Sequence, residues 1–285
     1  MLVMDTNSEK EVHPMTQYTK LFVVYDPTRE DQPALERAAG IAIDISAEMH
    51  VFVCIQSNTV KSDAQSTEIT ALIAQQQSVL DAVLAPLEGR GIQVSTEVEW
   101  DNDWYHAVVR ASIKYGADMV LKSSYKHSAG KRIMNKTSDW TLMRKCLCPV
   151  MLVKEGVPRE IPRILAAVDI CAKKESYQRL NQNVIKFSKG VVALHGTEVH
   201  YINAFEDYKG VPNRQELIDR HGIDSDKIHI KHGKPGKVIL AHAKKLNVSL
   251  VVLGNSSRSG LSGALIGNTV EKILDKLECD VLSMP

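Results

Sequence analysis

Ile164-Leu-Ala-Ala-Val-Asp169 repeats in other letters what Leu21-Phe-Val-Val-Tyr-Asp26 spells earlier in the chain: a short apolar run that ends on an acid. Reading outward from each run gives the same order of segments. After Asp26, Leu35, Ala38, Ala39, Ala42, Ile43 and Ile45 recur at helical spacing. Then come a strand at Val51-Phe-Val-Cys-Ile55, a helix over 66–88 and a strand at Ile92-Gln-Val-Ser-Thr-Glu-Val98. A helix over 103–115 follows with Asp103 as its cap, then the run Met119-Val-Leu121, a loop, a helix over 138–146 and Val150-Met-Leu-Val153. After Asp169 the pattern predicts a helix over 175–190, Val199-His-Tyr-Ile202, a short helix over 213–221 and Ile228-His-Ile230. A helix over 235–246, Leu250-Val-Val-Leu253, a loop, a helix over 269–277 and Val281-Leu-Ser-Met284 complete it.

The spacing between the copies is uneven in an informative way. Asp26 and Asp169 are 143 residues apart, Glu48-Met-His50 and Glu198-Val-His200 are 150 apart, and from Trp100 onward an offset of 131 pairs Cys148 with Cys279 and Val150 with Val281. The second copy therefore has a longer first helix and a shorter stretch between its second and third strands. Length changes confined to connections are what a duplicated domain tolerates. Uninterrupted apolar strands alternating with helices imply parallel sheets covered on both faces, with right-handed crossovers. The fold class is α/β, two tandem doubly wound parallel five-stranded sheets. The expected limits are a flexible tail over 1–17, a first domain over 18–156 and a second over 160–285, joined through the proline- and glycine-bearing stretch from Lys154 to Pro162.

Bulk properties exclude several classes. The 35 basic and 34 acidic residues nearly cancel, which argues against a chain-wide nucleic-acid surface. The opening residues are mixed and polar rather than a leader, and no apolar stretch reaches the length of a membrane span. Five cysteines, an odd number without framework spacing, read as reduced thiols of a cytoplasmic protein.

The segment from Leu253 to Glu271 joins a buried strand to a helix and carries Gly254, Gly260, Gly263 and Gly267. In an open parallel sheet, ligands bind beyond the carboxyl ends of the strands, where the strand order switches, and Asp169 and Gly254 both stand at such ends. Glycines let backbone N–H groups approach an anion. A helix starting at Asn268 or Thr269 would present its unsatisfied N–H groups to it, and Arg258 can add a charged hydrogen bond. The same letters admit a plainer account: Asn268 with Glu271 three residues on is an ordinary capping box. Composition leaves anion binding and turn chemistry evenly matched.

From Asp169 to Met284 the chain resembles a universal stress protein domain, and the resemblance extends over nearly the whole chain from about Lys20. ATP-binding members of that family carry glycine, two residues, glycine, nine residues, glycine and then serine or threonine. Here the pattern stands as Gly254, Ser257, Gly267 and Asn268, with the spacing intact and two of the four letters changed. The resemblance gives Asp169 the role of the acid that meets the nucleoside end. In the first copy Ser123, Lys126, Lys136 and Thr137 occupy the loop positions, and only Asp26 survives, so that site reads as degenerate. The resemblance also implies that the last strands, Val150-Met-Leu-Val153 and Val281-Leu-Ser-Met284, each the edge of its own sheet, pair between domains. The chain then forms its own pseudo-dimer, with a further homodimer left open.

Other chemistry is weaker. Lys122, Lys126, Lys131, Arg132 and Lys136 form a basic loop with little aromatic interleaving, which reads as solvated. His195, His200 and His221 lack an acid or cysteine at ligand spacing, and His229 and His232 point to opposite faces of a strand. No metal is expected beyond magnesium carried by a nucleotide. No nucleophile elbow or Walker loop occurs, so no enzyme is expected. The expected function is a stress-response regulator whose second domain binds ATP or a related nucleotide at Asp169, Gly254, Ser257, Arg258, Gly267, Asn268 and Thr269. The alternative is a carrier or scaffold that has lost both nucleotide sites and takes an apolar or anionic small molecule, or protein partners.

Overall fold

The computed structural model describes residues 15, 17–56, 65–125, 132–158, 160–208, 211–255 and 273–285, without the side chains of 65–66 and 132–138. In the first half these form β1 (Lys20–Val24), α1 (Pro33–Ile45), β2 (Glu48–Ile55), α2 (Gln65–Glu88), β3 (Val94–Trp100), α3 (Trp104–Tyr115), β4 (Met119–Ser124), α4 (Arg132–Lys145) and β5 (Val150–Lys154). The second half supplies β6 (Arg163–Ala167), α5 (Glu175–His195), β7 (Glu198–Phe205), α6 (Arg214–His221), β8 (Ile228–His232), α7 (Pro235–Leu246), β9 (Leu250–Gly254) and β10 (Asp280–Met284), with one 3-10 turn at Ser225–Lys227.

All described strands lie in one sheet of order β3-β2-β1-β4-β5-β10-β9-β6-β7-β8. Within each half every pairing is parallel; β5 and β10 alone run antiparallel, with Leu152 opposite Val281, Met151 opposite Leu282 and Val150 opposite Ser283. The two expected sheet edges are thus joined to each other, and β3 and β8 become the outer edges of a continuous sheet.

Helix ends record the duplication in their backbones. The left-handed residue that closes α3 is Gly116 and the one that closes α7 is Asn247, 131 residues on; Gly91 and Gly222, at the same offset, also share positive φ. At the 150 offset, Ser46 closes α1 and Gly196 closes α5, both left-handed. The conformation outlasted the residue that makes it easiest. As expected, α5 (21 residues) exceeds α1 (13 residues), and α6 (8 residues) is far shorter than α2 (24 residues).

Some boundaries differ from the sequence reading. α4 starts at Arg132 rather than 138; its first turns carry only the adjacent pair Ile133 and Met134 as apolar residues, too little to mark a helical stripe. α5 runs on to His195, its last turns being only partly buried. Ile92 is buried below the strand, after the turn at Gly91, and the ladder with β2 begins at Val94 opposite Met49. Within the segment expected to be a tail, Met15 is buried and Gln17 accepts a hydrogen bond from Lys186 on α5, while Tyr18 packs edge-on against Phe187.

Each face of the sheet carries one apolar cluster that continues through both halves. One contains Leu21, Met49, Met151, Ile164, Val184 and Leu282; the other contains Phe22, Phe52, Leu142, Leu152, Val251 and Val281. A buried ion pair crosses the junction: Arg37 of α1 lies 2.8 Å from Asp280 of β10, at 5% and 1% side-chain exposure. Arg37 also donates to the Pro158 carbonyl at 2.6 Å, and the Lys154 N–H donates to Asp280 at 2.8 Å. Burial raises the Asp280 carboxyl above its ordinary pKa, and Arg37 and the Lys154 N–H oppose that rise.

Removing one member of such a pair strands a charge. Arg37→Ala is expected to lower unfolding free energy by about 3–5 kcal/mol in urea titrations. Replacing both residues together, Arg37→Met with Asp280→Leu, is expected to recover most of that loss.

Candidate functional site

In the second half the order β8-β7-β6-β9-β10 places the switch between β6 and β9, and their carboxyl ends carry Asp169 and Gly254. Between them lies a cavity of about 240 Å³. Its lining includes Asp169, Tyr177, Leu180, Asn203, Ile239 and Gly254.

The acid is held by its own backbone. Asn181 of α5 makes a two-way clamp: its Oδ1 accepts from the Asp169 N–H at 2.9 Å and its Nδ2 donates to the Asp169 carbonyl at 2.6 Å. Asn203 of β7 accepts from the Ile170 N–H at 2.9 Å. The side chain is thereby left to the cavity. Burial raises the Asp169 carboxyl above its ordinary pKa, and a hydrogen bond from the Cys171 N–H pulls against that. A half-buried carboxylate on a clamped backbone is suited to accept hydrogen bonds from vicinal hydroxyls.

Gly254 lies close against α5. A Cβ there would stand 3.3 Å from Leu180 Cβ, on the additional N-terminal turns of α5. Those turns also bring Tyr177 and Asn181, so the longer first helix of this half builds one wall of the cavity.

The first half has the same strand order and a different interior. The Asp26 carboxylate accepts from the Thr28 N–H at 2.9 Å and the Thr28 hydroxyl at 2.6 Å. Gln32 copies the Asn181 clamp, accepting from the Asp26 N–H at 3.2 Å and donating to its carbonyl at 2.7 Å. Ser123 accepts from the Ala34 N–H at 3.1 Å, capping α1, and Tyr125 donates to the Asp31 carbonyl at 2.6 Å beneath the Arg29 guanidinium. The groups that would face a ligand face one another.

Of the other expected site residues, Ser257, Arg258, Gly267, Asn268, Thr269 and Lys126 lie outside the described residues, as does the backbone nest expected between Gly254 and Asn268. Lys136 and Thr137 fall on α4, their side chains likewise outside the described residues. Lys122 is not part of a solvated basic loop: it pairs with Asp139 at 2.9 Å and lies over the Trp104 ring. Sequence reading missed Tyr177, Leu180, Asn181 and Asn203. Asn203 left a signal, a lone amide near the carboxyl end of an otherwise apolar strand; the α5 residues left none.

The histidines also correct the reading by spacing. His200 finds Glu198 at 3.2 Å, and His195 finds Asp44 at 3.6 Å. His200 Nδ1 and His229 Nε2 are 2.9 Å apart, on neighbouring strands, with His242 of α7 packed beside His229. Among the described residues, no group of three or more His, Cys, Asp or Glu side chains is placed to hold a metal ion.

The profile of the universal stress protein family matches residues 17–154 and again 162–285. The chain belongs to that family. Universal stress protein E of Escherichia coli K12 is 28% identical over 94% of both chains, and that of Photorhabdus laumondii is 29% identical over 95% of this chain and 96% of its own. A putative universal stress protein structure from Pseudomonas aeruginosa superposes with a TM-score of 0.78 at 26% identity, covering 95% of this chain and 94% of the other. The fold also matches a universal stress protein of Archaeoglobus fulgidus, TM-score 0.72 at 20% identity, over 94% and 97% of the two chains.

The imidazole cluster sets a pH dependence for this universal stress protein. Burial, then His200, His242, Lys231 and Lys245, lower the His229 pKa from 6.5 to about 4. As pH falls below 6.5 the unfolded chain takes up a proton there that the folded chain refuses until about 4, so stability is full above 6.5 and declines across that window. His200 is lowered in the same direction by burial, against Glu198. Thermal melts between pH 7 and pH 4 are expected to show this fall, and His229→Asn is expected to make it shallower.

Proposed function

We propose that this protein is a cytoplasmic stress-response regulator whose second half binds ATP or a related nucleotide, with or without its magnesium, and signals by occupancy rather than turnover. The observation that carries the reading is the 240 Å³ cavity at the strand-order switch, bounded by Asp169 on one strand end and Gly254 on the other. Such a crevice is where open parallel sheets take nucleotides. The loop from Gly254 through Ser257, Arg258, Gly267, Asn268 and Thr269 keeps the family's spacing and supplies the phosphate end; Asp169 supplies the acceptor for the sugar. The first half, whose Asp26, Ser123 and Tyr125 are taken up by Thr28, the Ala34 N–H and the Asp31 carbonyl, is read as a degenerate domain over 18–156, and the second as a binding domain over 160–285. Among the described residues no helix is long and apolar enough to cross a membrane, in keeping with the proposed compartment.

A second reading draws on the cavity's lining, where Ala167, Val168, Leu180, Ile202, Ala204, Pro235, Ile239 and Leu253 outnumber Asp169, Asn181, Asn203 and Glu206: a carrier of an apolar small molecule.

Calorimetric titration with ATP and magnesium separates the two. Binding to the wild type is expected. Asp169→Asn is expected to weaken it by roughly 10- to 100-fold through loss of charged hydrogen bonds, and Gly254→Val to abolish it by filling the contact with Leu180. Absence of binding heat in the wild type, with an apolar compound retained in native mass spectra, overturns the nucleotide reading in favour of the carrier.

A further inference from the structure

The last four carbonyls of a helix have no partner within it, and a buried helix end must find donors elsewhere. In α4, which ends at Lys145, Met143 is one of these. Its carbonyl accepts from Asn255 Nδ2 at 2.6 Å. Asn255 belongs to the other half. It is the residue that leads from Gly254 at the end of β9 into the glycine-bearing loop, it is 2% exposed, and its own N–H donates to the Met284 carbonyl of β10 at 2.7 Å.

The reverse contact is also present, made with different letters. The 131-residue offset that superposes the halves takes Met143 to Leu274 and Asn255 to Ser124. Leu274 lies at the last described turn of the helix before β10, and its carbonyl also accepts from across the seam: Lys154 Nζ donates to it at 3.0 Å and to Ser124 Oγ at 3.1 Å. A serine is too short to span the gap. Lys154, at the end of β5, reaches in its place and brings a positive charge to a helix C-terminus, where the helix dipole favours one. Each half therefore caps the final helix of the other, the second half from the end of β9 through Asn255 and the first from the end of β5 through Lys154.

We propose that the first half acts as the positioning partner of the second half's crevice: α4 holds Asn255, the residue after Gly254 of the cavity wall, so ligand binding in the second half and order in the last turn of α4 are coupled. This rests on the nucleotide reading above for the identity of the ligand, and not for the cross-capping itself. It gives a role to a half whose own Asp26, Ser123 and Tyr125 are hydrogen-bonded within that half. Asn255 is a positioning residue; it acts on the ligand through its neighbour Gly254, which lines the cavity.

Amide hydrogen exchange on the full chain tests this, free and saturated with ATP and magnesium, in the wild type, Asn255→Ala and Lys154→Met. In the ligand-free proteins, Asn255→Ala is expected to speed exchange about five- to tenfold in 139–147, as loss of one buried neutral hydrogen bond implies. Lys154→Met is expected to speed exchange in 273–277 and leave 139–147 unchanged. In the wild type, ATP is expected to slow exchange in 139–147; in Asn255→Ala that protection disappears and ATP affinity falls about tenfold. A wild type that binds ATP with no change in 139–147, or an Asn255→Ala protein that binds it as tightly as wild type, overturns the coupling. Should the wild type bind no ATP, the nucleotide reading fails by itself, and the ligand-free exchange still decides: unchanged rates in both variants overturn the cross-capping. If Asn255→Ala does not fold, the wild type decides the coupling by itself, through the presence or absence of ATP protection in 139–147, and Lys154→Met decides the reverse cap through exchange in 273–277.

Discussion

The pairing of β5 with β10 is the constraint on which the rest of the molecule depends. Each half, taken alone, would end its sheet on a buried apolar strand whose outer N–H and C=O groups had no partner, an arrangement that invites association with other chains. Joining the two strands antiparallel removes both edges at once and leaves β3 and β8, flanked by polar and charged residues, as the outer margins. It also makes the apolar layers above and below the sheet continuous across the seam, so neither half has a core that closes independently of the other. The Arg37–Asp280 pair lies where that layer crosses from α1 to β10. A buried ion pair adds little net stability against an apolar replacement. Its contribution is to the register: a one-residue slip of β10 would carry Asp280 to the opposite face, away from Arg37.

The two crevices show how the same topology is put to different use. Both backbones keep an acid at the end of the first strand of their half, and both clamp that acid's main chain with a side-chain amide, Gln32 in one and Asn181 in the other. What differs is where the carboxylate points its hydrogen bonds. Each accepts an N–H from two residues on, but Asp26 also takes the Thr28 hydroxyl, while Asp169, with Cys171 at that place, lines a cavity walled by turns of α5 that α1 lacks. Ser123, at a position aligned with Gly254, caps α1. The geometry of an acid-bearing switch point persisted in the first half after its groups were turned inward.

The succession of strands along the chain was legible in the amino acids because buried parallel strands are uninterrupted apolar runs and the interval between copies stayed constant over long stretches. The acid at each strand end was legible for the same reason. Other features depend on partners far away in the chain. Nothing in an alanine-rich helix announces that Arg37 meets Asp280, and nothing near Asn181 announces its clamp on Asp169. The start of α4 escaped notice because its first turns offer only the adjacent Ile133 and Met134, with no apolar stripe to mark them. His200 and His229 escaped because ligand spacing was sought along the chain, whereas the sheet set them side by side across two strands.

Cross-capping of the final helices adds a reason for the two halves to have stayed in one chain. Between separate subunits, a contact such as Asn255 to Met143 would be formed only at the concentration of the dimer; within one chain the partner is always at hand. A fused pair is free to let one crevice lapse while keeping the surface that supports the other. The changes in the first half follow that pattern. Asp26, Ser123 and Tyr125 are bonded to Thr28, the Ala34 N–H and the Asp31 carbonyl, whereas the α4 carbonyl that receives Asn255 is a backbone group that no substitution at Met143 can remove. Support given through main-chain atoms survives drift in side chains, and that is the property a half would need to stay useful after its own site had closed.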